Sequence, residues 1–174
     1  YRVLVNASSN SLVNYLLHEV LKELDCEVIK AKRDMNMEKE LQAGNYDLGC
    51  KLDSNGETIS LYDEKGTAIG KEMQNALVNL IYLKDKPEGK IAVPYTASGV
   101  IDKLAELYNC DVVRTKSSKQ AVMQESKGTG LFLLYFDGVA MLAKLLERMA
   151  LDHSTLSGLI KEIPEFYMKE KEIP

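Results

Sequence analysis

"YDLGCKLDSNGETISLYDEKG", residues 46–66, contains two short segments in which apolar residues alternate with polar ones, on either side of an Asn-Gly pair. Alternation with a period of two is typical of a strand with one buried face. Asn-Gly is a strong hairpin signal, because both residues accept positive φ in a two-residue turn. The stretch therefore predicts an antiparallel hairpin at the edge of a sheet, with Ile59 and Leu61 on one face of its second strand.

A strand–helix–strand unit precedes this hairpin, and a similar unit follows it. The first runs through "RVLVN" (2–6), an amphipathic helix and "CEVIKAK" (26–32). The second runs through "KIAVP" (90–94), an amphipathic helix and "CDVVRTK" (110–116). Connections of this kind give right-handed crossovers between parallel strands. The pattern predicts an internal duplication.

The repeat continues in both halves with a weaker helical segment, a third strand and a long helix. In the second half the third strand is assigned to "GLFLLYF" (130–136), whose unbroken apolar character is typical of a strand covered on both faces. A last helix is predicted in residues 154–163, with Ser154 as N-cap and Pro164 as the stop. The fold prediction is two similar three-layer α/β/α domains with mixed, mostly parallel sheets, at residues 1–86 and 87–174.

The composition excludes several classes of partner. The 174 residues are 45% hydrophobic and 28% charged, with a net charge of −4 and basic residues spread along the chain. Nucleic acids and anionic membranes call for a concentrated basic face, which is missing. No apolar run approaches the roughly 20 residues of a membrane span. We therefore predict a cytoplasmic protein with neither nucleic acid nor membrane as partner.

The reactive side chains show no catalytic pattern. Cys26, Cys50 and Cys110 are too few and too scattered for a disulfide framework or a zinc site, so we interpret them as buried reduced thiols. His18 and His153 lie far apart and are interpreted as structural. No Ser-His-acid spacing predicts a nucleophile. The adjacent acids at 63 and 64 are interpreted as solvated charges.

In this order the segments resemble the α-D-phosphohexomutases, the family that includes phosphoglucomutase and phosphomannomutase. The resemblance covers essentially the whole chain and matches the second and third domains of that family. The segments that carry it are "YDLGCKLDSNGETISLYDEKG", "GKIAVPYTAS", "DVVRTK", "DGVAMLAKLLERMA" and "LSGLIKEIPEFYMKEKEIP". The nearest likeness is to the mutase-like region fused behind a sugar-1-phosphate nucleotidyltransferase, as in mannose-1-phosphate guanylyltransferase fusions.

Several expectations follow from that resemblance. The chain opens with Tyr1 rather than Met and closes in a charged segment, which favours a piece of a longer fusion protein in nucleotide-sugar metabolism. Its expected partners are the rest of the parent polypeptide, namely a first domain carrying the phosphoserine and a nucleotidyltransferase domain, together with a sugar phosphate as ligand.

The resemblance also implies a role for the tip of the hairpin. In active members the tip is Asp-Gly-Asp-Ala-Asp-Arg, and three alternating carboxylates bind one Mg²⁺, which prefers oxygen ligands and stabilises the transferred phosphoryl group. Matched residue by residue, Asp53, Asn55 and Glu57 stand at the ligand positions and Thr58 replaces the Arg. One carboxylate is lost, Glu57 is a methylene longer than Asp, and a bidentate partner for phosphate is missing.

Three interpretations of this degenerate loop stay open. A metal-free hairpin is favoured over a weak Mg²⁺ or Ca²⁺ site, and a working catalytic site is the least favoured. No cofactor is expected unless the Asp53 loop is functional, in which case the cofactor is Mg²⁺.

A second set of candidates, for phosphate or sugar, is Lys116, Ser117, Ser118 and Lys119. Lys119 stands where the family usually has a His near the sugar phosphate, and a Lys can hold a phosphate as a point charge. Serines before a helix are also preferred N-caps, and that interpretation is favoured for the Ser-rich turns of this chain. The turn "TKSSKQ" is the best exception, because it brings Lys116 and Lys119. The sugar-binding loop of the third domain in active mutases is missing, since "QESKGTG" leads directly into "LFLLYF".

We therefore assign no catalytic residue. The favoured hypothesis is a structural, regulatory or sugar-phosphate-sensing module whose parent holds the enzyme activity. The alternative is the metal- and sugar-binding half of an active phosphomannomutase or phosphoglucomutase. The two hypotheses differ in whether the hairpin tip binds Mg²⁺.

Overall fold

The structure, a computed structural model, describes residues 1–6, 12–32, 35–86, 89–127 and 129–166. Strands and helices alternate along most of the chain, and after residue 115 the described residues form helices but no strand. The elements in chain order are β1 Arg2–Asn6, α1 Leu12–Glu23, β2 Glu27–Lys30, α2 Met37–Ala43, β3 Leu48–Leu52, β4 Ile59–Tyr62, α3 Lys71–Asp85, β5 Gly89–Pro94, α4 Val100–Leu107, β6 Cys110–Thr115, α5 Lys119–Glu125, α6 Leu131–Phe136, α7 Gly138–Leu151 and α8 Leu156–Lys161.

The first half forms a four-stranded sheet in the order β2-β1-β3-β4. β1 is parallel to β2 and to β3, and β4 is antiparallel to β3. Successive side chains of β1 point to opposite faces, so Val3 and Val5 enter the main core whereas Leu4 packs with Met37 and Leu41 of α2. Helices therefore cover both faces. The predicted mixed, mostly parallel α/β fold with an edge hairpin is confirmed.

The turn of the hairpin is longer than the sequence predicts. Leu52 pairs with Ile59, which leaves the six residues 53–58 between the strands. The N–H of Gly56 donates to the carbonyl oxygen of Asp53 at 3.3 Å, and Gly56 has φ of +73°. Asn55 is not in the left-handed region. The two-residue turn is thus wrong: the tip needs positive φ only at Gly56, and it forms a wider loop.

The second half departs from the predicted repeat. β5 and β6 form a parallel two-stranded sheet, but the run predicted as a third strand is the helix α6. Leu131 and Leu134, one helical turn apart, are buried, whereas Leu133 is 54% exposed. An apolar run this short suits a buried strand or a buried helix equally. The predicted strand is wrong, because the run packs as a helix against α3 and α7.

The helix α3 lies at the centre of the apolar core. Its residues 76–83 are all buried, which is the pattern of a helix covered all round. Helices α4, α6, α7 and α8 of the second half contact it, so the main core combines side chains of both halves. The predicted domain boundary falls at residues 86 and 87, the second of which lies outside the described ranges, and the division stays a prediction.

Polar contacts fasten the last two helices to the first half. Lys84 Nζ of α3 lies 2.6 Å from carboxylate oxygens of both Asp152 and Glu162. The Glu64 carboxylate accepts hydrogen bonds from the Ser157 N–H at 3.2 Å and from the Ser157 hydroxyl at 2.5 Å. Glu64 is therefore not the solvated charge that the sequence suggests, because it binds a residue 93 positions away.

Three smaller predictions also change. Asp63 is 5% exposed, and its carboxylate accepts the N–H of Thr67 at 2.7 Å, so it closes a turn instead of facing solvent. The N-cap of α8 is Thr155 rather than Ser154. The N–H of Ser154 instead donates a hydrogen bond to the carbonyl of Met149. Cys50 is buried, but Cys26 is half-buried. Among the described helices, none has the length and apolar character needed to cross a membrane.

Candidate functional site

The carboxylate of Asp53 is used by the hairpin itself. Desolvation acts to raise the pKa of Asp53, but hydrogen bonds to its carboxylate from Thr58 and from the backbone of Gly56 and Glu57 lower that pKa below its usual value. The backbone N–H of Asp53 also donates to the Thr58 carbonyl at 3.1 Å. An Asp that binds amides of its own turn is a common way to stabilise a loop. This carboxylate therefore has a structural role in the tip.

The carboxylate of Glu57 is paired with a cation from the other half of the chain. Lys119 Nζ lies 2.5 Å from Glu57 Oε2, and the same ammonium lies 5.5 Å from the centroid of the Phe136 ring. The two charged side chains are 53% and 56% exposed. Exposed pairs contribute about 0–1 kcal/mol because water screens them. The pair is thus weak in energy but sets the charge at the tip.

The hairpin tip does not fit Mg²⁺ well. Mg²⁺ demands near-octahedral oxygen ligands, so the ligand oxygens must converge and be available. Here the Asp53 carboxylate accepts amide hydrogens and the Glu57 carboxylate accepts an ammonium, while the Asn55 side-chain oxygen lies 3.5 Å from the Ser54 hydroxyl. The described residues contain no group of three His, Cys, Asp or Glu side chains able to hold a metal ion. The metal assignment stays a prediction.

The candidates for binding phosphate or sugar, residues 116–119, have different contacts in the structure. Ser118 is the N-cap of α5, and its hydroxyl accepts the N–H of Ala121 at 3.3 Å. Ser117 lies with its hydroxyl 3.5 Å from that of Thr96, and Lys116 is exposed. Lys119 points to Glu57 instead. The structure thus brings Lys119 together with the hairpin tip, whereas Ser118 acts as an N-cap.

A cleft of about 520 Å³ lies beside this ion pair. Its walls come from the hairpin and the start of β4, from α3, from α6 with the start of α7, and from Lys119. Besides Glu57 and Lys119, its polar lining includes Lys71 and Asn75 of α3. We did not predict these two residues from the sequence. The available signal was their spacing, since i and i+4 lie on one face of a helix.

One wall of the cleft is held by a buried polar contact. Asn79 of α3 donates through Nδ2 to the Tyr135 hydroxyl at 2.5 Å and to the carbonyl of Asn75 at 2.8 Å. Burial raises the pKa of Tyr135 to about 12, so the hydroxyl stays protonated near neutral pH. Gln74 donates to the Ile59 carbonyl at 2.9 Å and fixes the opposite side. The cleft is therefore lined by side chains that are already positioned.

Comparison by sequence finds mutases of phosphorylated sugars. No family model matches the chain. A phosphoglucomutase/phosphomannomutase of Thermococcus kodakarensis is 26% identical over 191 aligned positions, covering 92% of this chain and 42% of that protein. A Methanopyrus kandleri protein assigned as a phosphoglucosamine mutase is 31% identical over 114 positions, covering 56% of this chain and 25% of that protein.

Comparison of structures agrees. The crystal structure of a phosphoglucomutase/phosphomannomutase family protein from Burkholderia thailandensis matches with a TM-score of 0.75 at 18% identity, over 95% of this chain and 43% of that one. The chain is phosphohexomutase-like in sequence and in fold. A Thermus thermophilus protein assigned as a phosphomannomutase matches with a TM-score of 0.76 at 15% identity. The phosphohexomutase-like chain spans less than half the length of each of these proteins.

Proposed function

We propose that this chain is a phosphohexomutase-like module without catalysis of its own, which serves a larger protein of carbohydrate metabolism as a structural, regulatory or sugar-phosphate-sensing part. The observation that carries the proposal is the ion pair between Glu57 and Lys119. A carboxylate at a metal-ligand position is bound there by an ammonium of the same chain.

The charge balance at the tip supports this proposal. Asp53 and Glu57 are its two carboxylates, and Lys119 neutralises one of them. A divalent ion would have to displace that ammonium and also compete with the amides that bind Asp53. The exposed ion pair alone opposes metal binding by no more than about 1 kcal/mol. The effect is substantial only in combination with the occupied Asp53 carboxylate and the loss of the third carboxylate.

The larger protein is also part of the proposal. The relatives are more than twice as long as the region that matches this chain. We propose that the parent joins a mutase-like region to a mannose-1-phosphate guanylyltransferase-type nucleotidyltransferase, in the cytoplasm, and works in nucleotide-sugar metabolism. The support is the likeness of the five segments quoted above, together with the altered hairpin tip.

A calorimetric titration with Mg²⁺ tests the proposal. We expect no saturable heat up to millimolar Mg²⁺ for the natural chain, and the same for Asp53→Ala. A variant that combines Asn55→Asp, Glu57→Asp and Lys119→Gln restores three carboxylates and removes the competing ammonium. It is expected to bind Mg²⁺ measurably, which shows that the assay detects a metal in this loop.

Saturable binding by the natural chain that disappears in Asp53→Ala would overturn the proposal. The hairpin tip would then be a functional metal site, and the chain would be the metal-binding half of an active mutase.

A further inference from the structure

A second groove lies on the face of the first sheet that carries α2. Its volume of about 480 Å³ is within the range of small-molecule sites. The described residues that line it belong to β1, β3 and β4 and to residues 35–38 at the start of α2. None of them lines the cleft beside the Glu57–Lys119 pair. The groove is therefore a separate feature of the molecule.

The topology of the sheet places this groove where ligands commonly bind. β2 pairs with one side of β1 and β3 pairs with the other. The buried side chains of α1 share a core with Val3 and Val5, whereas those of α2 pack with Leu4 on the opposite face of β1. In an open sheet of this order the connections change direction between β1 and β3, and ligands bind there, outside the carboxyl ends of the strands. The groove includes Asn6, the last residue of β1.

The polar floor of the groove follows from the alternation of side chains in two paired strands. Leu4 of β1 packs against α2, so Asn6, two residues later, lies on the same face. In β3 a Cβ added at Gly49 would meet side chains of α2, so Lys51, two residues later, also lies on that face. Asn6 and Lys51 are direct partners across the two strands. The sheet thus presents a carboxamide and an ammonium side by side.

The groove holds two charges of opposite sign that do not meet. Glu38, in the first turn of α2, lines it together with Lys51 and Tyr62. Neither Glu38 nor Lys51 takes part in an ion pair among the described residues, so their charged atoms lie more than 4.0 Å apart. The Asn6 carboxamide and the Tyr62 hydroxyl likewise make no side-chain hydrogen bond to another described residue. Four polar side chains are therefore available to a ligand.

We propose that this groove binds a small zwitterion of the α-amino acid class, with its carboxylate on Lys51 and Asn6 and its ammonium on Glu38. Near neutral pH an α-amino acid carries both charges on one carbon atom, so it bridges the two separated side chains with an opposite charge at each. A simple anion would bind Lys51 but face the carboxylate of Glu38, and a simple cation would face Lys51. The Tyr62 hydroxyl can donate to or accept from the body of the ligand. The bound molecule would join α2 to β3.

The test compares three probes at low ionic strength: L-serine, 3-hydroxypropionate, which lacks the ammonium, and ethanolamine, which lacks the carboxylate. Calorimetry gives the affinities, and shifts of backbone amide resonances locate the site. We expect saturable binding of L-serine with a Kd of about 1 mM or tighter, and shifts concentrated in β1, β3 and the start of α2. Each analogue should bind about tenfold more weakly, because it loses one charge-assisted contact. Added salt should weaken the binding of L-serine, because the contacts are ionic.

Two charge-removing variants assign each end of the ligand to its partner. Lys51→Gln should weaken L-serine binding about tenfold and leave the variant unable to distinguish L-serine from ethanolamine. Glu38→Gln should weaken it by a similar factor and abolish the distinction between L-serine and 3-hydroxypropionate. Both residues are exposed, so their replacement leaves the core intact. Lys103→Gln and Glu106→Gln, at exposed positions of α4 outside the groove, are the matched controls and should change nothing.

Absence of saturable L-serine binding, or binding that Lys51→Gln and Glu38→Gln leave unchanged, would overturn the inference. An analogue that binds the natural chain as tightly as L-serine would also overturn it, because a single charge would then account for the site. Each of these failures is independent of the Mg²⁺ titration, so the metal-free module would still stand.

Discussion

Alanine substitutions in α6 give a direct test of the helix that replaces the predicted strand and forms one wall of the cleft. Leu131 is 0% and Leu134 7% exposed, while Leu133, between them, is 54% exposed. Residues three apart share a face of a helix, whereas residues two apart share a face of a strand. A helix therefore pairs Leu131 with Leu134, and a strand would pair Leu131 with Leu133.

The expected magnitudes follow from burial and packing. Leu131 and Leu134 are in the core that includes α3 and α7, and such Leu→Ala changes lower the free energy of unfolding by about 2–5 kcal/mol through lost transfer energy and the cavity left behind. We expect about 3 kcal/mol for Leu131→Ala and for Leu134→Ala. Leu133→Ala should change it by less than about 1 kcal/mol, because half of that side chain is already in water and Ala favours helix.

Urea unfolding followed by far-ultraviolet circular dichroism gives these three free energies. In a thermal melt, about 3 kcal/mol corresponds to a lowering of roughly 6–12 °C for a chain of this size. If Leu133→Ala destabilised the protein as much as Leu131→Ala and Leu134→Ala do, Leu133 would be buried, as the predicted strand covered on both faces requires. The helix and the cleft that depends on it would then be refuted.

Three further changes have definite expected outcomes. Gly66→Ala should lower the free energy of unfolding by more than about 1 kcal/mol in the same assay, because φ is +77° and a Cβ would lie 2.5 Å from a backbone oxygen of α2. Gly70→Ala, where nothing lies within 4 Å of a Cβ, should cost clearly less, namely the preference for Gly over Ala at the N-cap of α3. Desolvation acts to raise the pKa of Glu64, but hydrogen bonds from Ser157 lower it overall, so this carboxylate stabilises the fold above its ordinary value of 4.5 and loses that contribution as pH falls through the lower folded value. In Ser157→Ala the free energy of unfolding should therefore fall less steeply as the pH is lowered, and an unchanged pH dependence would contradict this assignment. Burial raises the pKa of Cys50 to about 12, so its thiol should resist iodoacetamide near neutral pH until the protein unfolds, and rapid native-state labelling would contradict that burial.

Local periodicity predicted the parts of the fold that are locally determined. The crossover units and the edge hairpin follow from alternating and helical spacing, and they are present. The apolar run at 131–136 carries no such information, because six apolar residues suit either type of buried element. Its helical state depends on what it covers, namely α3 and α7, and no local pattern reports a distant partner.

The sequence indicated which residues lie at the hairpin tip, but not which groups their side chains bind. The sequence placed oxygen-bearing side chains at the tip on the assumption that alternate residues point the same way. That rule holds only while the strand continues. Residues 53–58 form a loop, in which the Asp53 carboxylate accepts hydrogen bonds from backbone amides of the same loop. The contact between Glu57 and Lys119 joins residues 62 positions apart. Such a pair depends on tertiary packing, which spacing along the chain does not reveal.

The position of α3 accounts for two features of the second half: residues 131–136 form a helix instead of the predicted strand, and a cleft lies beside that helix. This helix belongs to the first half in sequence, yet its residues 76–83 are buried on every side, and one sheet face covers only one side of a helix. Helices of the second half supply the missing cover, and α6 is among them. A third strand beside β5 would have taken residues 131–136 away from α3 and left part of its apolar surface in water. The same packing that makes this segment a helix thus places Tyr135 and Phe136 in one cleft with Lys71 and Asn75. The helical state of residues 131–136 and the presence of the cleft thus have one physical cause.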